Sequence, residues 1–173
     1  MNRSLLIFSL LLSAPFAQAV TPSPSEPDSR VLRINAMIDP EVENDDADLN
    51  LEVAAGVAME PFSELGILIG HMDSGYADTT EVLFYAEDTY DIGLSLLPYA
   101  SAGIGYAWSK TDTEDVNSMF GELEAGVKYM VTDHHALGIG AEYSYAFEDI
   151  YLDKYGVGDD HNIEFGASFS YYY

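Results

Sequence analysis

Residues Leu49 to Met59 read LNLEVAAGVAM. Leu49, Leu51, Val53, Ala55, Val57 and Met59 share one parity, and Asn50, Glu52, Ala54, Gly56 and Ala58 share the other. A pattern that repeats every two residues fits a strand with two unlike faces and fits no helix. The alternation recurs along the chain in RVLRINAMI (Arg30 to Ile38), ELGILIGHM (Glu64 to Met72), EVLFYAEDTYDIGLSLL (Glu81 to Leu97) and YASAGIGYAW (Tyr99 to Trp108). It returns in FGELEAGVKYM (Phe120 to Met130), ALGIGAEYSYAF (Ala136 to Phe147) and NIEFGASFSYYY (Asn162 to Tyr173). This predicts an all-β chain of about eight strands, most close to the roughly 9–11 residues of a tilted bilayer-crossing strand.

The connections take turns in length. DPEVENDDAD is long, EPFS short, DSGYADTT long; a tight turn is expected at Pro98; SKTDTEDVNS is long, VTDHH short, and EDIYLDKYGVGDDH long. All long connections then lie at one end of an antiparallel, up-and-down barrel, the order found in transmembrane barrels. Glu81 to Leu97 reads as one long strand protruding from the membrane, because a hairpin at AEDT would leave two pieces too short to span.

Alternation alone does not say which face is outside, since a soluble barrel turns its apolar face inward and a membrane barrel turns it to lipid. Three features favour the membrane arrangement. The polar face carries small residues (Ala54, Gly56, Ala58, Ser101, Gly103, Gly105, Gly138, Gly140, Ser144, Gly166, Ser168), which suit a narrow interior and weaken an exposed strand. The same face carries Arg33, Glu52, Glu122, Glu124, Lys128, Glu142 and Glu164, where a soluble barrel would scatter lysine for solubility. Buried charges must pair. Arg33 and Lys128 are outnumbered by these glutamates, so protons, water or a cation are expected among them, and Lys128→Met should destabilise more than Lys154→Met. Third, aromatics fall at both strand ends: Tyr129, Tyr171 and Tyr173 beside short turns, and Tyr106, Trp108, Tyr143, Tyr145 and Phe147 toward long loops. Such rings prefer the two membrane interfaces.

The start of the chain has Arg3, the short apolar run LLIFSLLL and the small-x-small pattern Ala17-Gln18-Ala19. That is a secretory signal over residues 1–19, too short for a spanning helix. A Pro/Ser linker follows over 20–29, and the barrel over 30–173. The net charge of −24 excludes nucleic acid as a partner, because phosphate binding needs Lys and Arg. With no cysteine there is neither a disulfide nor a thiolate metal site.

These strands and girdles resemble the small Gram-negative outer-membrane barrels of the OmpA, OmpX and opacity-protein type. The sharpest match is the last strand, where Glu164, Gly166, Phe169 and Tyr171 fit polar-x-Gly-x-x-aromatic-x-aromatic. Tyr172 and Tyr173 follow that match, and the final aromatic is Tyr where Phe is commoner. The resemblance implies Sec-type export to the outer membrane, recognition of Glu164, Gly166, Phe169, Tyr171 and Tyr173 by the barrel-assembly machinery, and a monomer set in lipid and lipopolysaccharide. It does not carry over the peptidoglycan-binding domain of full-length OmpA-type proteins. The last strand is expected to pair with the first and close the barrel.

No catalytic constellation stands out. His134 and His135 fall in a turn, and His71 and His161 fall near the outer rim on strands not expected to be neighbours. No catalytic residue, cofactor or dedicated metal site is expected. The outer loops gather acid (Asp39, Glu41, Glu43, Asp45, Asp46, Asp48; Asp112, Glu114, Asp115; Asp159, Asp160), which reads first as a solvated surface and second as Ca²⁺ or Mg²⁺ bridging to lipopolysaccharide phosphates. The expected function is envelope integrity or surface contact and adhesion through these loops, with a host or cell-surface ligand not identified. The alternatives are a narrow cation-preferring channel, a barrel enzyme acting on lipid A or peptides, and a soluble secreted ligand-binding barrel.

Overall fold

A computed structural model of the chain describes residues 30–38, 49–60, 62–73, 77–92, 95–111, 115–152 and 158–173. The signal segment, the linker and the first acidic loop lie outside the described residues. The strands are β1 (Arg30–Ile38), β2 (Leu49–Glu60), β3 (Ser63–Asp73), β4 (Asp78–Thr89), β5 (Leu96–Lys110), β6 (Asp115–Thr132), β7 (His135–Ala146), β8 (Tyr151–Leu152), β9 (Gly158–Asp159) and β10 (His161–Tyr172). Eight of them close a barrel in the order β1-β10-β7-β6-β5-β4-β3-β2, while β8 and β9 pair only with each other in the last long connection. All barrel neighbours are antiparallel, and β1 pairs with β10 from Val31↔Tyr172 to Ile38↔Phe165. Arg30 and Tyr173 extend the seam by exchanging backbone hydrogen bonds of 2.8 and 2.9 Å.

Following one inward-facing register line round the barrel gives its shear. The line starts at Tyr172, passes Val31, Gly56, Gly66, Tyr85, Gly103, Glu122 and Ser144, and returns to β10 at Asn162, ten residues from its start. Eight strips with this stagger tilt by about 40° and leave an interior that side chains can fill.

The faces are inverted relative to a soluble protein. Among the described residues, thirty large hydrophobic side chains are exposed, whereas the largest fully buried side chains include Arg33, Lys128, Glu52 and Asn35. Water would not tolerate that outer surface on a monomer. Tyr171 stacks on Tyr173 at the short-turn rim, with centroids 5.5 Å apart; Tyr106 meets Trp108 and Tyr145 meets Phe147 edge-on at the long-loop rim.

Two expectations need correction. Glu81 to Leu97 is not one strand: β4 ends at Thr89 and β5 begins at Leu96. Pro98 is not the turn. It lies in β5 opposite Val127, and its carbonyl accepts from Tyr90 N at 2.8 Å. The alternation simply continued past the end of β4, hiding Asp91 among apolar neighbours. Second, two of the four long connections are partly strand. The β3–β4 ladder continues to Asp73↔Asp78 and the β5–β6 ladder to Lys110↔Asp115. At 15 and 18 residues, β5 and β6 overrun the roughly 9–11 residues that a bilayer needs.

Candidate functional site in the barrel lumen

Alternation aims one residue in two inward, and the shear decides which of them meet. Near the short-turn end the hub is Glu87 of β4. Arg33 Nη1 donates to its Oε2 at 2.6 Å, Lys128 Nζ donates to its Oε1, and Thr89 Oγ1 donates to Oε1 at 3.2 Å. Arg33 also lies 3.7 Å from Glu64 and 3.7 Å from Glu124. Tyr85 Oη donates to Glu64, and Tyr99 Oη donates to Glu124 at 2.5 Å. The Arg33 guanidinium sits 4.9 Å from the centre of the Tyr85 ring and the Lys128 ammonium 4.7 Å from that of Tyr99. Both cations are almost fully buried, at 2% and 1% exposure. Removed from water, they are held by charge-assisted hydrogen bonds and aromatic faces, which is what a buried ion needs.

Small residues make room for this plug. A Cβ on Gly126 or Gly140 would lie 2.7 or 2.5 Å from the Tyr99 ring or its hydroxyl. The ring lies across the two glycines. Beyond the plug, Leu68, Leu83 and Phe120 cluster with Ala54, Ala107 and Ala146, and Ile150 of the last long connection is fully buried against them. At the opposite mouth a recess of about 40 Å³ reaches Glu64 and Glu87. It has room for a few waters.

The long-loop half of the lumen holds a second polar group. Glu52, Glu81, Glu122, Glu142 and Glu164 are buried there with Asn35, Asn50 and Asn162. Asn35 Nδ2 donates to Glu52 at 2.7 Å, Asn50 Nδ2 to Glu52 at 3.0 Å and Glu164 at 3.2 Å, and Asn162 Nδ2 to Glu164 at 2.9 Å. Ser144 Oγ donates to Glu142 at 2.9 Å. Glu64, Glu87, Ser101, Glu124, Glu142 and Glu164 occupy one continuous register line across β3, β4, β5, β6, β7 and β10. Like charges directly opposite repel. Arg33 reaches the first three glutamates of that line, and its ion pairs do not extend to Glu142 or Glu164.

Of the seven charged residues expected inside, Arg33, Lys128 and Glu124 belong to the plug, and Glu52, Glu122, Glu142 and Glu164 to the second group. Sequence reading missed Glu64, Glu81, Glu87, Tyr85 and Tyr99. The parity of Glu64 with Gly66 and Gly70 on β3 and of Tyr99 with Ser101 and Gly103 on β5 was available, while for Glu81, Tyr85 and Glu87 the single long strand concealed β4 as an ordinary spanning element. Of the terminal signature, Glu164 is inward, while Phe169, Tyr171 and Tyr173 are exposed outward.

The histidines do not converge. His71 on β3 meets Thr80 Oγ1 at 3.2 Å, and β3 is separated from β10, which carries His161, by β1 and β2. His134 Nδ1 lies 3.1 Å from the Tyr172 carbonyl and His135 Nδ1 2.8 Å from Thr132 Oγ1. His161 Nδ1 lies 3.0 Å from both Asp159 and Asp160 in an exposed group on the long-loop rim.

No protein-family model matches the sequence, and no curated protein matches it by sequence. Among solved structures the chain is similar to the N-terminal β-barrel domain of OprF from Pseudomonas aeruginosa, at 14% identity and TM-score 0.67 over 90% of this chain and 100% of that one. It is also similar to Neisserial surface protein A, at 14% identity and TM-score 0.64 over 83% of this chain and 95% of that one. A de novo designed transmembrane β-barrel matches at 16% identity and TM-score 0.56 over 87% of this chain and 100% of the design. The shared property is the fold, that of the small eight-stranded transmembrane barrels of the OmpA/OmpX type. A designed chain reaches the same fold, so the fold by itself assigns no task.

Proposed function

We propose that the protein is an integral barrel of the outer membrane of a Gram-negative bacterium, exported through the signal at residues 1–19. The barrel is a closed anchor, and its work, surface contact or envelope integrity, lies in the acidic connections at the long-loop end. The observation that carries this reading is the inverted polarity: an apolar belt with aromatic rims outside, and a paired Arg33–Glu87–Lys128 plug inside. A lumen filled in this way is an anchor rather than a pore. The acids of those connections, Asp159 and Asp160 among them, are suited to bridging through Ca²⁺ or Mg²⁺ to lipopolysaccharide phosphates.

Two measurements test it. The protein should stay in the outer-membrane fraction through alkaline carbonate washing and migrate differently in gels before and after boiling. Release by carbonate would refute the membrane assignment. In planar bilayers the folded protein should give no stepwise conductance. Cation-selective steps would replace the anchor reading with the channel one.

A further inference from the structure

We propose that the short-turn rim across β7, β10 and β1 binds one anionic phospholipid, its phosphate held between Arg30 and His135 and one acyl chain lying in the outward notch at Ala36 and Ala167. This rests on the anchor reading, which sets the rim in the periplasmic leaflet of the membrane. The acids of the long-loop end play no part in it.

Lysine and arginine number six against thirty acids. Among the described residues, Arg33 and Lys128 are taken up by the lumenal plug, and Arg30 and Lys110 stand exposed outside it. Their ladders differ. Lys110 lies opposite Asp78 on one side and Asp115 on the other, so its neighbours already carry the opposite charge. Arg30 lies opposite Val57 on β2 and beside Tyr173 on β10. No ion pair among the described residues includes Arg30. The Tyr173 main-chain oxygen accepts from Arg30 N at 2.8 Å, a bond that leaves the guanidinium out. The described acids of this rim lie elsewhere. Asp133 lines the mouth recess, Asp88 accepts from Ser63 Oγ at 2.6 Å, and Asp91 follows β4, which β2 and β3 separate from β1. A guanidinium at headgroup depth with no carboxylate side chain beside it suits a lipid phosphate, which it grips with two parallel N–H bonds.

The β6–β7 turn builds the other side of the seat. Tyr172 N donates to the His134 carbonyl at 2.8 Å, and His134 Nδ1 lies 3.1 Å from the Tyr172 carbonyl, which can only accept. These two bonds tie the turn to β10 and set His135 beside the terminal aromatics. The His135 ring centre lies 5.0 Å from that of Tyr171 and 5.7 Å from that of Phe169. Thr132 Oγ1 holds His135 Nδ1 at 2.8 Å, which leaves Nε2 for a ligand. His135 and Arg30 thus flank the stacked pair of Tyr171 and Tyr173, whose hydroxyls belong at headgroup depth. Farther into the span, Ala36 faces Ala167 across the seam, between the pairs Ile34↔Phe169 and Ile38↔Phe165. Those four large side chains are exposed. They bound a shallow notch floored by two methyl groups, in line with the seat and about an acyl chain wide.

The test uses the full folded protein, freed of lipid in zwitterionic detergent, with chelator present so that no divalent ion bridges to the loop acids. Phosphatidylglycerol or phosphatidylcholine is titrated in, and bound copies are counted by native mass spectrometry. Wild type should hold one phosphatidylglycerol about fivefold more tightly than phosphatidylcholine. Arg30→Met/His135→Phe keeps the arginine stem and the ring packing and should bind both lipids alike. Lys110→Met should bind as wild type does. Arg30→Met alone serves if the double variant does not fold. Equal retention of the two lipids by wild type, a preference that survives in the double variant, or one lost in Lys110→Met would overturn the proposal. So would displacement of the lipid by an equal concentration of glycerol phosphate, which would make the seat one for free phosphate esters. Carbonate extraction decides the anchor reading separately, so the two failures are distinguishable.

Discussion

Glu87 accepts from both buried cations, so Glu87→Gln should be the most damaging charge-neutralising change in the lumen. Breaking a buried ion pair by removing one partner costs about 3–5 kcal/mol, chiefly because the other charge is left stranded. Glu87→Gln strands two, Arg33 at 2.6 Å and Lys128, although Glu64 and Glu124 at 3.7 Å retain part of the attraction on Arg33. A loss of about 4 kcal/mol follows from that range. Lys128→Met leaves Glu87 its bond to Arg33 and fills the stem's volume, so about 2 kcal/mol is expected. Once Glu87 is Gln, losing Lys128 removes a stranded charge, and the double variant should cost no more than Glu87→Gln alone. That is a coupling of about 2 kcal/mol. Equilibrium urea unfolding in lipid vesicles reads it: with a slope of about 2 kcal/mol per molar, Glu87→Gln should lower the midpoint by about 2 M. Exposed Lys110 at the end of β5 supplies the control, Lys110→Met. Lys154 lies outside the described residues, and Lys154→Met is the second control. Additive losses in the double variant would refute the pairing, and a Glu87→Gln midpoint equal to that of Lys110→Met would refute the plug.

Inward Gly140 on β7 and outward Gly121 on β6 make a sharper steric prediction. A Cβ on Gly140 would lie 2.5 Å from Tyr99 Oη, 3.0 Å from Glu124 Oε1 and 3.3 Å from the Ala125 carbonyl, whereas one on Gly121 meets only the Gly103 carbonyl at 3.8 Å. Gly140→Ala should therefore cost about 1–3 kcal/mol in the same unfolding assay and Gly121→Ala should be neutral; equal effects would mean Tyr99 does not lie across Gly140. On the outer face Ile139 is 69% exposed within the middle of β7, and Tyr145 is near the long-loop rim. Ile139→Arg should cost about 2–4 kcal/mol in vesicles and Tyr145→Arg about 0–1 kcal/mol; the reverse order would misplace the apolar belt.

What could be read from the sequence follows the range of each physical signal. Alternation is local, so Leu49 to Met59 and Ala136 to Phe147 declared their faces without help from the rest of the chain. Turn chemistry is local too, but weak where a turn keeps apolar parity. Ile92 therefore disguised the break between β4 and β5, and Pro98 drew the turn to itself although near a strand end its missing N–H costs little. Loop length was overestimated at SKTDTEDVNS because polar residues that pair beyond the membrane look like loop: Ser109↔Val116 and Lys110↔Asp115 are ladder pairs.

Partner choice inside the barrel is not local, and this is why the inward set was mostly legible while its chemistry was not. Arg33 and Glu87 are separated by 54 residues and lie on different register lines. They meet only because the shear of ten lifts each line as it winds, bringing a residue near the start of β1 level with one near the end of β4. Had the stagger been smaller by one inward pair, every side chain would keep its face while the charges would meet different neighbours. Face assignment survives such a shift, and the Arg33–Glu87–Lys128 contact does not. The double-variant cycle therefore tests the register itself, which neither periodicity nor composition constrains.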